Sequence, residues 1–204
     1  MPSVLIVSRT RMKGGNVCIG GFDIDSKESV RLLTSNGSNQ LGSAPYRVGE
    51  IWDINYLPRS TVTAPHIEDV LVQSGTFYST LASTDLQNFI LQNCNVYNGS
   101  IDKLFDGALH TPTGHAAYID SQNVPNHSVC FWRSDIDLLH FQAFEKHKYR
   151  YYNFDYDACF SYAGTEPPVD VIPAGTLVRM SLARWWTPPE AVSQACYLQL
   201  SGWY

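Results

Sequence analysis

The chain has 204 residues, 44% hydrophobic and 16% charged, with a formal net charge of −5. That composition supports a sizeable core and excludes a disordered chain, and its acidity lacks the overall basic footprint of a nucleic-acid binder while leaving room for a local basic patch. Aromatic residues make up 13%, and such side chains suit pleated, half-buried surfaces.

Val4–Ser8 reads as a first strand. Its apolar run is too short for a signal peptide, and no stretch has the length of a transmembrane helix, so the expected location is the cytoplasm. Arg9–Gly15 reads as a basic turn. Asn16–Asp25 is a second strand, with Gly20-Gly21 at a bend or bulge. After a polar turn, Ser29–Thr34 returns as a third. Residues 35–45 are loop by composition, Ile51–Leu57 is a fourth strand, and His66–Gln73 closes the set. Five strands in roughly 70 residues, bent at glycines, have the style of a small closed barrel.

The middle differs. Ser83-Thr84-Asp85 caps a predicted helix to about Asn93, and Ser100–Leu109 repeats the apolar spacing. Strands return as Ala117–Asp120, Val129–Arg133, Leu138–Glu145, Lys148–Asp155, Ala158–Tyr162, Thr176–Arg184 and Ala195–Leu200. The fold class is mostly β with minor α. It is organised as a first OB-like barrel (1–75), a helical bridge (76–112) and a second OB-like barrel (113–204).

Cys18-Ile19-Gly20-Gly21-Phe22-Asp23, Val30-Arg31-Leu32-Leu33, Val48-Gly49-Glu50-Ile51-Trp52 and Pro65-His66-Ile67-Glu68-Asp69-Val70 follow one another in order. With Arg184-Trp185-Trp186 and the closing Cys196–Tyr204, they resemble the bacterial dual OB-containing domain family over nearly the whole chain. The resemblance implies two barrels and a role in bacterial or phage-conflict systems, sensing nucleic acid or nucleotides. It implies no catalytic residue.

Four groups are candidate binding residues. Arg9, Arg11 and Lys13 precede Gly14-Gly15, where cations and a closely approaching backbone suit phosphate; Arg31 lies on the third strand. Lys146–Tyr156 interleaves cations with aromatics, so Lys148, Arg150 and Tyr152 share one strand face while Tyr149, Tyr151 and Asn153 share the other. His66 and Glu68 point the same way on a predicted strand and shape a polar pocket, form a buried hydrogen bond, or contact Arg31. Arg184, Trp185 and Trp186 offer a cation and a stacking ring, since one of two adjacent indoles on a strand faces outward.

The five cysteines are odd in number, widely spaced and without a CxxC pair, so buried free thiols are expected rather than disulfides or a zinc site. No GxGxxG, GxxxxGK[ST], HExxH or GxSxG pattern occurs. The expected cofactors and metals are therefore none. The leading expectation is a non-catalytic protein that binds nucleic acid or a nucleotide, phosphate contacts giving affinity and stacking giving base preference. The alternatives are a protein-interaction subunit docking on a partner protein, and a metal-dependent enzyme on nucleic acid using His66 and Glu68. No membrane partner is expected.

Overall fold

The computed structural model describes residues 1–189 and 192–204. They form two compact units, the first containing Met1–Thr63, Ile67–Cys94 and Tyr204, the second Ala64–His66 and Asn95–Trp203.

The first unit holds a closed five-stranded barrel. Its strands are β1 (Ser3–Arg11), β2 (Asn16–Asp23), β3 (Glu28–Leu33), β5 (Glu50–Pro58) and β6 (Asp69–Thr80); the two-residue β4 (Gln40–Leu41) pairs with β2. The circuit runs β1–β5–β6–β3–β2 and back to β1. Only β3–β6 is parallel. This is the five-stranded Greek-key circuit of an OB fold. Alternate residues point inward, so Val4 and Ile6, Val17 and Ile19, Val30 and Leu32, with Ile54 and Val70, fill the barrel.

Gly20-Gly21 sits at a bulge, as its composition predicts. The extra residue is on the partner strand: Ile6 pairs with Gly21 and Ser8 with Gly20, leaving Val7 between them. Gly21 is also required by packing, since a Cβ there would lie 2.5 Å from Val4 Cγ1.

Two expectations in this unit are corrected. The turn predicted over Arg9–Gly15 is shorter, because β1 keeps its ladder with β2 through Arg11↔Val17. The reversal is left to Met12–Gly15, where Gly14 and Gly15 adopt φ of 71° and 74°. The strand predicted from His66 begins only at Asp69 and continues to Thr80, its far half forming a ribbon with β5. Residues 66–68 therefore lack the strict alternation that would put His66 and Glu68 on one face.

Helix α1 (Ser83–Asn93) forms as predicted and buries Leu86 and Ile90. Its N-cap is Ala82, and no side chain of the predicted Ser83-Thr84-Asp85 cap bonds the helix end. Phe89 of α1 meets Phe22 edge-on, with centroids 5.7 Å apart. The second predicted helix is a broken 3-10 segment, Ile101–Gly107, in which Leu104 is extended and Phe105 and Asp106 are left-handed. Its apolar spacing serves burial of Ile101, Leu104 and Phe105 rather than one helical face.

The second unit repeats the barrel plan with one change. Its strands are β7 (Val96–Gly99), β8 (His115–Ala116), β9 (Tyr118–Ile119), β10 (Val129–Ser134), β11 (Leu138–Ala143), β12 (Lys146–Tyr152), β13 (Asp157–Tyr162), β14 (Val171–Ile172), β15 (Leu177–Leu182) and β16 (Cys196–Trp203). β11–β12–β13 is an antiparallel meander, β13 pairs parallel with β16, and β16 pairs antiparallel with β15. β15 pairs with β10, and β10 is continued by β11. The first strand of this barrel is thus interrupted at Asp135–Asp137, one part serving β15 and the other β12. Tyr151 donates to Asp135 Oδ1 at 2.8 Å and the Ala174 amide to Asp137 Oδ1 at 2.8 Å, which fixes the break. Trp132, Tyr149, Tyr151, Phe105 and Phe160 are the largest side chains sealed in the core, each worth about 2–3 kcal/mol of transfer free energy. Among the described residues, no helix is long and apolar enough to cross a membrane.

Candidate nucleic-acid interface

In an OB barrel the outer face of strands two and three, with the loops joining strands one to two and four to five, is where oligonucleotides bind. The second unit places several of the sequence candidates on these elements, Arg184 and Trp185 among them in the loop between β15 and β16. Lys148, Arg150 and Tyr152 lie on β12, its second strand, and Trp186 lies in the loop between β15 and β16, its fourth and fifth.

The β12 alternation divides as its sequence predicts. Tyr149 and Tyr151 are sealed in the core while Arg150 and Tyr152 face solvent and Lys148 is half-buried. Register sets Arg150 beside Cys159 and Lys148 beside Ser161, and Ser161 beside Gln199 of β16. The Arg150 guanidinium lies 4.8 Å from the Tyr152 ring centroid and chelates Asp157 through Nε and Nη2 at 2.6 and 2.8 Å. The hydrogen bond from Arg150 holds the Asp157 carboxyl below the usual range, and the same bond raises the guanidinium.

Both hairpin ends of β12 present a phenylalanine that the sequence reading left inside strands. Phe144 and Glu145 form the β11–β12 turn with φ of 53° and 59°. Non-glycine residues in this left-handed region cost about 1–2 kcal/mol each, and turns of this kind favour Asn-Gly. Here the turn leaves Phe144 90% exposed, with the Lys148 ammonium 5.9 Å from its ring. At the other end Asn153 Oδ1 accepts from the amides of Asp155 and Tyr156, and this turn leaves Phe154 wholly exposed. Phe144-Glu145 are the only residues between β11 and β12. Phe144, Lys148, Arg150, Tyr152 and Phe154 thus form one line of rings and cations. Over Glu145–Asp157, Lys146, Lys148 and Arg150 are balanced by Glu145, Asp155 and Asp157.

The Trp pair divides. Trp185 packs against the second core and donates its indole N–H to the Ala64 carbonyl at 2.8 Å. Trp186 is 54% exposed, pairs through its backbone with Ala195, and sets its ring 5.8 Å from Tyr197. Tyr197 lies beside Tyr118, and Tyr118 stacks on His110 at 5.1 Å. Arg184 is exposed.

Arg9, Arg31, His66 and Glu68 make internal contacts. Arg9 points from β1 into the 42–46 loop, donating to the carbonyls of Ala44 at 3.1 Å and Tyr46 at 2.8 Å. Burial, and then the charge of Arg47, lowers its pKa. Arg11 and Lys13 are exposed at the β1–β2 turn. Arg31 pairs with Asp69, a carboxylate 2% exposed, whose other oxygen takes Arg59 at 3.0 Å. His66 belongs to the second unit, where its Nε2 meets the Leu182 carbonyl at 3.0 Å. Glu68 belongs to the first, and its backbone oxygen accepts from the Arg31 amide. The expected His66–Glu68 strand face does not form, and Arg31 forms an ion pair with Asp69. Among the described residues, no three His, Cys, Asp or Glu side chains gather to hold a metal.

No curated protein sequence matches the chain. Among solved structures, it is similar to one described as a murine DNA-binding protein bound with double-stranded DNA, at 10% identity, with 100% of this chain and 96% of that chain covered and a TM-score of 0.33. A likeness at that score carries no weight for the ligand. The family model of the dual OB-containing domain matches residues 3–203, and with the barrel circuits described above the chain belongs to the dual OB-containing domain family.

Proposed function

We propose that the second unit binds single-stranded nucleic acid along the outer face of β12. The observation that carries this reading is the line Phe144, Lys148, Arg150, Tyr152 and Phe154, with its rings held in solvent and its cations beside them. Bases stack on exposed rings whatever their identity, at about 1–3 kcal/mol per base, while a duplex buries those faces. Trp186, beyond β13 and β16, extends the platform.

The balance of three cations and three carboxylates sets the character of binding. Stacking supplies most of the affinity and phosphate contacts the lesser part, so the salt dependence is shallow. Each phosphate contact on a single strand contributes about −0.7 to the slope of log K against log salt. With Arg150 held by Asp157, Lys148 alone gives a slope of about −0.7.

Fluorescence anisotropy with labelled homopolymer oligonucleotides tests the reading. Single strands bind more tightly than a duplex, and Tyr152→Ala weakens binding roughly 5- to 150-fold. Absence of binding to every single strand, equal binding of duplex, or full affinity in both Tyr152→Ala and Phe144→Ala would overturn it.

A further inference from the structure

The inner side of the β11–β12 hairpin holds two imidazoles aimed at one another. Register sets His140 opposite Tyr149 and Gln142 opposite His147, so these four side chains share the side turned away from Lys148 and Arg150. His140 Nε2 lies 2.9 Å from His147 Nδ1, and the rings stack with centroids 5.1 Å apart. The Gln142 amide reaches the same Nδ1 at 3.3 Å. Turned by half a rotation, that amide presents its oxygen instead of its nitrogen. His140 is held by the Tyr149 ring, 5.5 Å away, and by its own amide, which donates to the Asp170 carbonyl. Both imidazoles are half-buried and Gln142 is exposed, so solvent reaches the cluster.

Two neutral imidazoles meet at this distance when one N–H donates to the other's lone pair. The shared proton then sits where two ring nitrogens converge. A zinc ion with Zn–N bonds of about 2.0–2.1 Å holds two nitrogens of a tetrahedron at about 3.3 Å, so a slight opening of the pair admits it. Since the described residues gather no three His, Cys, Asp or Glu side chains, a third protein ligand here is of another kind, and Gln142 supplies an oxygen.

We infer that His140, His147 and Gln142 form a binding site for a divalent transition metal of zinc type, with water completing the shell. On binding, the ring that carries the shared proton gives it up at the converging nitrogen and takes one from solvent at its other nitrogen, so both imidazoles stay neutral and both converging lone pairs face the metal. The ion would tie β11 to β12 just behind the strained Phe144-Glu145 turn. This inference does not depend on nucleic-acid binding.

Native mass spectrometry and calorimetry of the full chain with zinc chloride, without oligonucleotide, test it. One ion binds in the micromolar range. His147→Ala, at the half-buried end of the hairpin, removes it. Gln142→Ala weakens it at least several-fold. His110→Ala, which deletes the imidazole paired with Asp120, leaves it unchanged. No zinc uptake, uptake undiminished in a folded His147→Ala protein, or uptake that follows His110 instead overturns the assignment.

Discussion

Gly21→Ala is expected to destabilise the first barrel by about 2–3 kcal/mol, the upper part of the range for overpacking a filled core. The added methyl would stand 2.5 Å from Val4 Cγ1 and 3.2 Å from Val30 Cγ2. Both neighbours are buried in the barrel core. Both are β-branched, so neither swings aside without leaving its preferred rotamer. The backbone has little slack either, because Gly21 faces Ile6 at the edge of the β1 bulge. For a chain of this length about 1 kcal/mol moves the melting midpoint by about 2–4 °C, which predicts a fall of roughly 4–12 °C. Calorimetry with circular dichroism reads the midpoint. The decisive arm is a double-mutant cycle with Val4→Ala, which removes the offending Cγ1. If the clash is the cause, the two changes couple favourably by at least about 1 kcal/mol. A Gly21→Ala protein within about 0.5 kcal/mol of the parent, or losses that simply add, would refute the reasoning.

Asp69→Asn should cost about 3 kcal/mol in a denaturant titration, because it leaves Arg31 and Arg59 facing a neutral, largely buried amide; a change under about 1 kcal/mol would show the cluster to be slack. Trp185→Ala should lower stability by about 3 kcal/mol, while Trp186→Ala stays within about 0.5 kcal/mol of the parent and weakens oligonucleotide binding; the reverse pattern would contradict the division of the pair. Asp157→Asn frees Arg150 for phosphate, so anisotropy should show tighter binding and a steeper salt slope, and weaker binding would count against the β12 face. In alkali, Tyr151 is pushed up to about 12 by burial, and burial likewise raises Tyr56 and Tyr97. These phenols hold their protons more tightly folded than unfolded. The stability they add is whole below about pH 10 and drains away as pH climbs toward 12. Ultraviolet titration should show Tyr151 ionising late in that window and Tyr56 and Tyr97 ionising above the ordinary phenol range.

Where side-chain alternation decides the outcome, the sequence was sufficient. The β12 faces divide as their period of two requires, because Tyr149 and Tyr151 bury and the charged residues between them do not. The pairing of Gly20-Gly21 with a bend was legible for a similar reason, though glycine composition cannot say which strand carries the extra residue. What failed depended on partners distant in the chain. Arg9 looks like a loop cation until the 42–46 carbonyls are brought to it, and His66 looks like a strand residue until Leu182 meets its ring. The Ile101–Leu109 spacing imitates a helix because core burial and helical periodicity ask for apolar residues at similar intervals. Phe144 went unread because its two-residue turn carries neither Gly nor Asn.

The interruption at Asp135–Asp137 has a mechanical consequence. β10 is laced to β15 and β11 to β12, so the two halves of that strand belong to different ladders joined by three residues of chain. Cooperative opening spreads along ladders and stops where they end. The β11–β12–β13 meander can therefore open while the β10–β15 pairing holds. Its amides should exchange with deuterium as one block, ahead of those of Cys130–Trp132. The exposed line of rings thus rides on a meander whose opening bares Tyr149 and Tyr151, so loosening its grip costs core burial.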